Sequence, residues 1–145
     1  MRYFFCFALV AVLFCGCGPS RPKTVPVHGK VTYFGGEWPS PGMLYFAPKE
    51  SAEGFPLRPA SAELAKDGTF TVSSFEEGDG LLPGKYVVTI ECWKVAPTMR
   101  NPNPSSAVPR KYQSQETSDF IVDVSEDQSS IEITFDVSNN TKSGS

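Results

Sequence analysis

The sequence predicts an all-β fold, a β-sandwich of seven strands that follows an N-terminal signal peptide. Several short segments alternate apolar and polar side chains with a period of two, which is typical of strands with one buried face. All 13 prolines follow residue 18 and are scattered along the rest of the chain, where they oppose long helices. Turn signals between the alternating segments favour two packed sheets.

The chain opens with the layout of a secretory signal peptide. Arg2 is followed by an apolar run from Tyr3 to Phe14, and glycines flank Cys17. A run of about a dozen residues is shorter than the roughly 20 that a membrane-spanning helix needs. The prolines that follow would break a helix or a strand. Residues 1–16 are therefore predicted to be a cleaved lipoprotein signal peptide.

Cys17 is the predicted lipidation site. Lipoprotein processing needs a small residue immediately before the acylated cysteine, and Phe14-Cys15-Gly16-Cys17 resembles such a lipobox. Cys15 is the rival site, but bulky Phe14 would precede it, whereas Gly16 precedes Cys17. Phe14 departs from the lipoprotein pattern, in which leucine is usual. The alternative is an ordinary cleaved signal that releases a soluble protein.

The predicted anchor determines the predicted location. Because each buried methylene contributes about 0.8 kcal/mol, the acyl chains of a bacterial lipoprotein would hold the protein stably on a membrane. Residues 17–24 form the lipidated tether, which contains two prolines and suits a semi-rigid spacer. The domain would then lie outside the cytoplasm, in the cell envelope, lipid-anchored to a bacterial membrane.

Charge argues against a nucleic-acid partner. Removal of residues 1–16 takes one of the 13 basic side chains, so 12 remain against 16 acidic ones, a formal charge of −4. Nucleic-acid binding needs a basic surface. The expected partners are the membrane, through the lipid anchor, and an envelope protein or a glycan.

Residues 25–137 are predicted to form the β-sandwich domain, which is a reasonable length for one core. The alternation is clearest near the C-terminus, where Ile131, Ile133 and Phe135 are separated by polar residues. A helix would scatter those polar residues around its circumference. The seven predicted strands are residues 25–34, 43–47, 61–65, 69–73, 85–93, 119–124 and 131–137.

The connections have their own signals. Lys66-Asp67-Gly68 predicts a hairpin turn, since glycine readily takes a positive φ. Residues 60–66 are also rich in helix formers, so a single helical turn is the alternative there. Two loops are long, residues 49–60 and 95–112, and binding would be expected in such loops. The polar tail, residues 138–145, is predicted to be disordered.

Four short motifs suggest a family. In order along the chain they are Val27-His28-Gly29-Lys30-Val31, Lys66-Asp67-Gly68-Thr69-Phe70, Leu82-Pro83-Gly84-Lys85-Tyr86 and Val108-Pro109-Arg110-Lys111-Tyr112. Following a lipobox, this series resembles the carboxypeptidase regulatory-like, transthyretin-like domains of bacterial surface lipoproteins. The resemblance covers residues 25–137. It implies a seven-stranded Greek-key β-sandwich of the transthyretin (prealbumin) type, with a mainly non-enzymatic accessory, adhesive or structural role.

The sequence offers no catalytic set. His28 is the single histidine. In an alternating strand its side chain lies on the face opposite to Val27 and Val31, which predicts a solvated position. One histidine argues against His-rich metal sites and against a hydrolytic constellation. The transthyretin-like fold includes a hydrolase of 5-hydroxyisourate, but the second histidine and the C-terminal Tyr-Arg-Gly-Ser of that enzyme are absent here. We therefore predict no enzyme activity, no cofactor and no metal.

Other candidate residues have two interpretations each. Glu76, Glu77 and Asp79 could offer oxygens to calcium, but a solvated acidic loop is the preferred interpretation. Cys92 lies on the same face of its predicted strand as several apolar residues. It is therefore predicted to be a small core residue rather than a nucleophile.

Trp93 and Tyr112 are the candidate binding residues. They could form an exposed aromatic patch for a glycan or a protein, or they could pin the 95–112 loop to the sandwich. The predicted function is a non-enzymatic membrane-anchored lipoprotein whose β-sandwich serves envelope structure or protein contact. The alternative is a glycan or small-ligand binding module that uses the 95–112 loop.

Overall fold

The computed structural model describes residues 21–39, 41–100 and 103–138, and this part of the chain is all-β. The predicted signal peptide, Cys17 and residues 139–145 of the tail lie outside the described residues. No helix within the described ranges is long and apolar enough to cross a membrane. The described elements are β1 (Val27–Tyr33), β2 (Gly42–Ser51), β3 (Ala60–Leu64), β4 (Thr69–Thr71), β5 (Gly84–Glu91), β6 (Trp93–Val95), β7 (Ser105–Ser106), the 3-10 helix η1 (Arg110–Gln113), β8 (Ile121–Val124) and β9 (Ile131–Val137).

The strands form two larger sheets and one small pair. The first sheet has the order β4-β1-β9, the second has the order β3-β2-β5-β8, and β6 pairs with β7. All pairs are antiparallel except β1 with β9, which run parallel from Val27 opposite Ile131 to Tyr33 opposite Val137. The first and last strands of the domain are therefore neighbours.

Apolar side chains from both larger sheets meet in one core. Val27 and Val31 of β1 are fully buried, as are Leu44 and Phe46 of β2, and they belong to the same cluster. On each strand these residues alternate with more exposed ones, as a period of two requires. Two sheets around a shared core are consistent with the predicted β-sandwich.

Each predicted strand segment has a counterpart in the two larger sheets. Residues 60–64 form strand β3, so the alternative of a helical turn there was wrong. The turn at residues 66–68 is confirmed, with Gly68 at φ +82° and its N–H donating to the Ala65 carbonyl at 2.9 Å. This segment forms a strand because it pairs with β2 along its whole length. The backbone hydrogen bonds of that pairing outweigh the local preference for helix.

Strand β2 is longer than the sequence predicts. The predicted strand ends at Ala47, whereas β2 continues to Ser51 even though Pro48 has no N–H for the ladder. The register with β5 shifts between Pro48 and Glu50, so the proline lies at an irregularity of the ladder. The strand thereby reaches Gly84, which pairs with Ser51.

Candidate functional site

The 95–112 loop folds back on the end of β5. The Ala107 N–H donates to the Cys92 carbonyl at 2.8 Å, and the Ser106 hydroxyl donates to the same oxygen at 3.1 Å. From the other sheet, the Tyr33 hydroxyl donates to the Ala107 carbonyl at 3.0 Å. Part of the loop also pairs as a strand, with Trp93 opposite Ser106. The segment is therefore held in a defined position beside the sandwich.

Tyr112 is a core residue. It is 3% exposed, and its ring stacks on Phe120 with the centroids 4.5 Å apart. Its hydroxyl donates to the Ser138 carbonyl at 3.3 Å. This position agrees with the interpretation that the aromatic side chain pins the loop to the sandwich. Tyr112 is accordingly no part of an exposed aromatic surface.

An exposed ion pair lies beside Tyr112 on the 3-10 helix η1. The Lys111 ammonium donates to the Asp119 carboxylate at 2.5 Å. The pKa of Lys111 is raised above its ordinary value, mainly by this hydrogen bond. Both side chains are substantially exposed, so the pair contributes little to stability.

Trp93 has a different position from Tyr112. It is half-buried and lines an open depression of about 130 Å³ on the outer face of the four-stranded sheet. The sheet supplies the floor, and residues of the folded-back loop supply one wall. The polar and aromatic residues that line the depression are Tyr45, Thr89, Glu91, Trp93, Ser106 and Gln113.

Strand pairing explains why these side chains converge. Tyr45 of β2 lies opposite Thr89 of β5, so the two side chains are neighbours on one face. One step further, Met43 lies opposite both Glu91 and Glu63 of β3. The depression is thus built on two consecutive rows of outward-facing residues.

The covered part of this face is unusual for the outside of a sheet. Thr89 is 8% exposed and Val87 is fully buried, although Val87 lies outside the core cluster. The 3-10 helix η1 contacts β5, and Gln113 at its end donates to the Val108 carbonyl at 2.6 Å. Both faces of β5 are therefore covered at Val87 and Thr89, and loop residues lie beside Thr89.

Two exposed carboxylates lie at and beside the depression, those of Glu91 and Glu63. Within the described chain, the side-chain carboxylates of Glu63 and Glu91 form no hydrogen bond and no ion pair, and both residues are exposed. Lys94 follows Trp93 directly, is exposed, and forms no ion pair with either carboxylate. The edge of the depression consequently carries two carboxylates without an ion pair.

Of the residues around this depression, the sequence singled out Trp93 alone. Thr89, Glu91 and Trp93 are spaced two residues apart, and in a strand this spacing indicates a common face. Tyr45 could not be included, because its position beside Thr89 depends on the register between two strands that are far apart in sequence.

His28 and Cys92 lie where the sequence predicts. His28 is exposed on the outer face of the three-stranded sheet, between Thr71 and Glu132 in register. Cys92 is 1% exposed and belongs to the core cluster. A buried thiol in apolar surroundings is typical of a packing residue.

Asp79 has a structural role in the acidic loop. Its carboxylate accepts the backbone N–H groups of Ser74 at 2.7 Å, Phe75 at 3.0 Å and Glu76 at 3.1 Å. The Glu76 side chain pairs with Arg21. In the ranges that the structure describes, no group of three or more His, Cys, Asp or Glu residues is arranged to hold a metal ion. The carboxylate of Asp79 stabilises the loop itself.

Comparisons with protein-family models, with curated proteins and with solved structures found no match. The resemblance to carboxypeptidase regulatory-like domains therefore depends on the sequence motifs alone.

Proposed function

We propose that this chain is a non-enzymatic lipoprotein, lipid-anchored to a bacterial membrane through Cys17, whose β-sandwich serves envelope structure or contact with a partner protein outside the cytoplasm. The observation that carries the proposal is an arrangement along the sandwich. The segment that follows the predicted lipid enters the fold at one end, and the Trp93 depression lies toward the other.

The entry point is Val25. Its N–H donates to the Leu81 carbonyl at 2.8 Å, and the Leu81 N–H returns a bond to the Val25 carbonyl at 2.9 Å. Residues 18–24 can span at most roughly 25 Å when fully extended. A lipid on Cys17 would thus keep this end of the sandwich within about that distance of the membrane surface.

The depression lies further along β5. This strand begins at Gly84, shortly after Leu81, and runs to Glu91. Since strands rise about 3.3 Å per residue, Thr89 and Glu91 lie roughly 20 Å from the start of the strand. An anchored chain would therefore present the Trp93 depression away from the bilayer, where another envelope component could reach it.

We also propose the finer fold, a seven-stranded Greek-key sandwich of the transthyretin type. Its support is the connectivity: the chain passes between the two larger sheets from β1 to β2, from β3 to β4, from β4 to β5 and from β8 to β9. Repeated crossings of this kind are typical of Greek-key sandwiches. The sequence motifs suggest the same family.

Membrane fractionation and intact mass test the anchor. The wild-type chain is expected in membranes, with the mass of residues 17–145 plus acyl chains, whereas Cys17→Ser is expected to be unacylated and released. Cys15→Ser is the matched control and should remain anchored. Membrane retention of Cys17→Ser with an unchanged lipid mass would refute the assignment. An unmodified wild-type chain in the soluble fraction would mean ordinary secretion.

A second candidate function is glycan or small-ligand binding by the same loop region. Its specific support is the pair of accessible aromatic rings at the depression, half-buried Trp93 and 41% exposed Tyr45. A glycan array probed with wild type and Trp93→Ala separates the outcomes. Binding that the variant loses supports this candidate, and a blank array counts against it.

A further inference from the structure

We infer that the Trp93 depression receives a basic side chain, lysine or arginine, from an extended segment of a partner protein. This inference rests on the proposed function, because it assigns the chemistry of the partner to the face that an anchored chain would present. Three features of the depression and its edge carry it: unpaired carboxylates, two accessible aromatic rings, and a nearly buried threonine whose hydroxyl has no partner in the described chain.

Two unpaired carboxylates lie in one row of the sheet. Glu63 and Glu91 flank Met43 in one row of the sheet, so two strand spacings of about 4.8 Å place their backbones roughly 10 Å apart. Neither side chain forms an ion pair or a hydrogen bond with any described residue. A cation above this row would interact favourably with both carboxylates, which the chain's own cations do not do.

The aromatic rings lie beside the same row. Trp93 borders both the 130 Å³ depression and an adjoining shallow surface cavity that includes Glu63, Met43 and Glu91. Tyr45 contributes the second ring on the sheet side of the depression. A guanidinium or ammonium group is attracted to the face of such rings, and its aliphatic stem gains apolar contact.

Thr89 supplies an independent indication of a polar ligand. It is 8% exposed, it lines the depression, and its hydroxyl has no hydrogen-bond partner among the described residues. The side chain is almost entirely buried, but its hydroxyl is accessible from the depression, so a bound ligand could form a hydrogen bond there that no described protein group supplies. The N–H groups of arginine and lysine can donate to this oxygen.

A basic side chain fits these features better than a sugar. A sugar could bond to Thr89 through a hydroxyl and stack its ring on Trp93, but it would leave Glu63 and Glu91 without a counter-charge. The volume, about 130 Å³, is also below the roughly 300 to 1,000 Å³ of pockets that enclose whole small molecules. One side chain from a longer segment is the occupant that the size and charge favour.

The experiment measures peptide binding to the full chain by isothermal titration calorimetry, in a polyoxyethylene detergent that carries neither charge nor sugar. The probes are acetylated and amidated hexa-arginine, its uncharged counterpart hexa-citrulline, and chitohexaose. The test variants are Glu91→Gln and Trp93→Ala. The matched control is Glu132→Gln, which removes the same charge from an exposed residue of the other sheet.

The wild-type chain is expected to bind hexa-arginine and to leave hexa-citrulline unbound. Glu91→Gln and Trp93→Ala should each weaken binding about five- to tenfold, as loss of a charge pair or a cation–π contact implies. Glu132→Gln should change it less than about twofold. Retained native circular dichroism for each variant shows that weaker binding is not caused by unfolding.

Three results would overturn the inference. Equal weakening by Glu91→Gln and Glu132→Gln would mean general attraction to an acidic protein. Undetectable hexa-arginine binding would remove the site. Binding of chitohexaose that depends on Trp93, without hexa-arginine binding, would assign the depression to carbohydrate. Because Cys17→Ser should bind hexa-arginine like wild type, the titration is separate from the fractionation that tests the anchor.

Discussion

The Tyr112 ring stacks on Phe120 with the planes inclined by 21°, and Phe120 stacks in turn on Phe135 of β9 with centroids 4.4 Å apart. Three rings therefore connect helix η1, at the end of the long loop, to the last strand of the sandwich. Because Gln113 of η1 lines the depression, the stack also determines where one wall of that depression lies.

Tyr112→Ala should lower the free energy of unfolding by about 3 kcal/mol or more, since it removes a buried aromatic ring and leaves a cavity. Tyr112→Phe keeps the ring and loses only the hydrogen bond to Ser138, at a cost of about 1 kcal/mol or less. Urea unfolding of the full chain measures both. Tyr45→Ala, at a 41% exposed position, is the control and should cost much less. Equal losses in the two alanine variants would contradict a structural role for Tyr112.

Gly29 permits the parallel pairing of β1 with β9. A methyl group at this position would overlap the Ile133 carbonyl oxygen and approach the Phe70 ring. We expect Gly29→Ala to lower the free energy of unfolding by about 3 kcal/mol, because the two strands must separate or bend to admit the methyl group. Gly36→Ala is a suitable control, since its nearest neighbour would lie at 3.4 Å. Similar denaturant midpoints for the two variants would show that the strands adapt without difficulty.

Much of the strand pattern could be predicted because it is local. On β9, Phe135 and Val137 are buried and Glu132, Thr134 and Asp136 are exposed, as the alternation requires. The parallel neighbourhood of β1 and β9 is different. It joins segments about a hundred residues apart, and no periodicity within either strand specifies the other as its partner.

The site was predictable only in part, for a related reason. Trp93 and Tyr112 lie at the two ends of the same long loop in the sequence. In the structure, however, Trp93 lies at the surface depression and Tyr112 lies in the core. The path of the loop decides this, and that path depends on non-local contacts such as the bond from the Tyr33 hydroxyl to Ala107. Likewise, the alternation on β5 indicated one buried face, whereas Val87 and Thr89 on the other face are buried as well.

Asp79→Ala should destabilise the acidic loop and the fold by about 2 kcal/mol, because three backbone N–H groups lose a charged acceptor. Glu77→Ala removes a neighbouring exposed carboxylate and should have little effect. Thermal unfolding with and without millimolar calcium adds a second comparison. If calcium raised the midpoint of the wild type but not of Asp79→Ala, the loop would be a metal site rather than a self-contained turn.

The acid limb of the stability curve should depend on Asp136. The Thr32 hydroxyl donates to its carboxylate at 2.6 Å and the Gly35 N–H donates at 2.9 Å, and these bonds hold the pKa of Asp136 below its ordinary value. A carboxyl whose pKa is lower in the folded state stabilises the fold above the unfolded pKa of about 3.9. That stabilisation is lost as the pH falls through the folded pKa.

Between about pH 5 and pH 2, the free energy of unfolding should therefore fall more steeply for wild type than for Asp136→Asn. The asparagine oxygen can still accept both hydrogen bonds, so the variant isolates the effect of titration from the loss of contacts. Urea unfolding at a series of pH values measures the two curves. Asp127→Asn, at an exposed position in the turn before β9, should remain parallel to wild type. Parallel curves for Asp136→Asn as well would mean that the bonds from Thr32 and Gly35 do not favour the charged carboxylate.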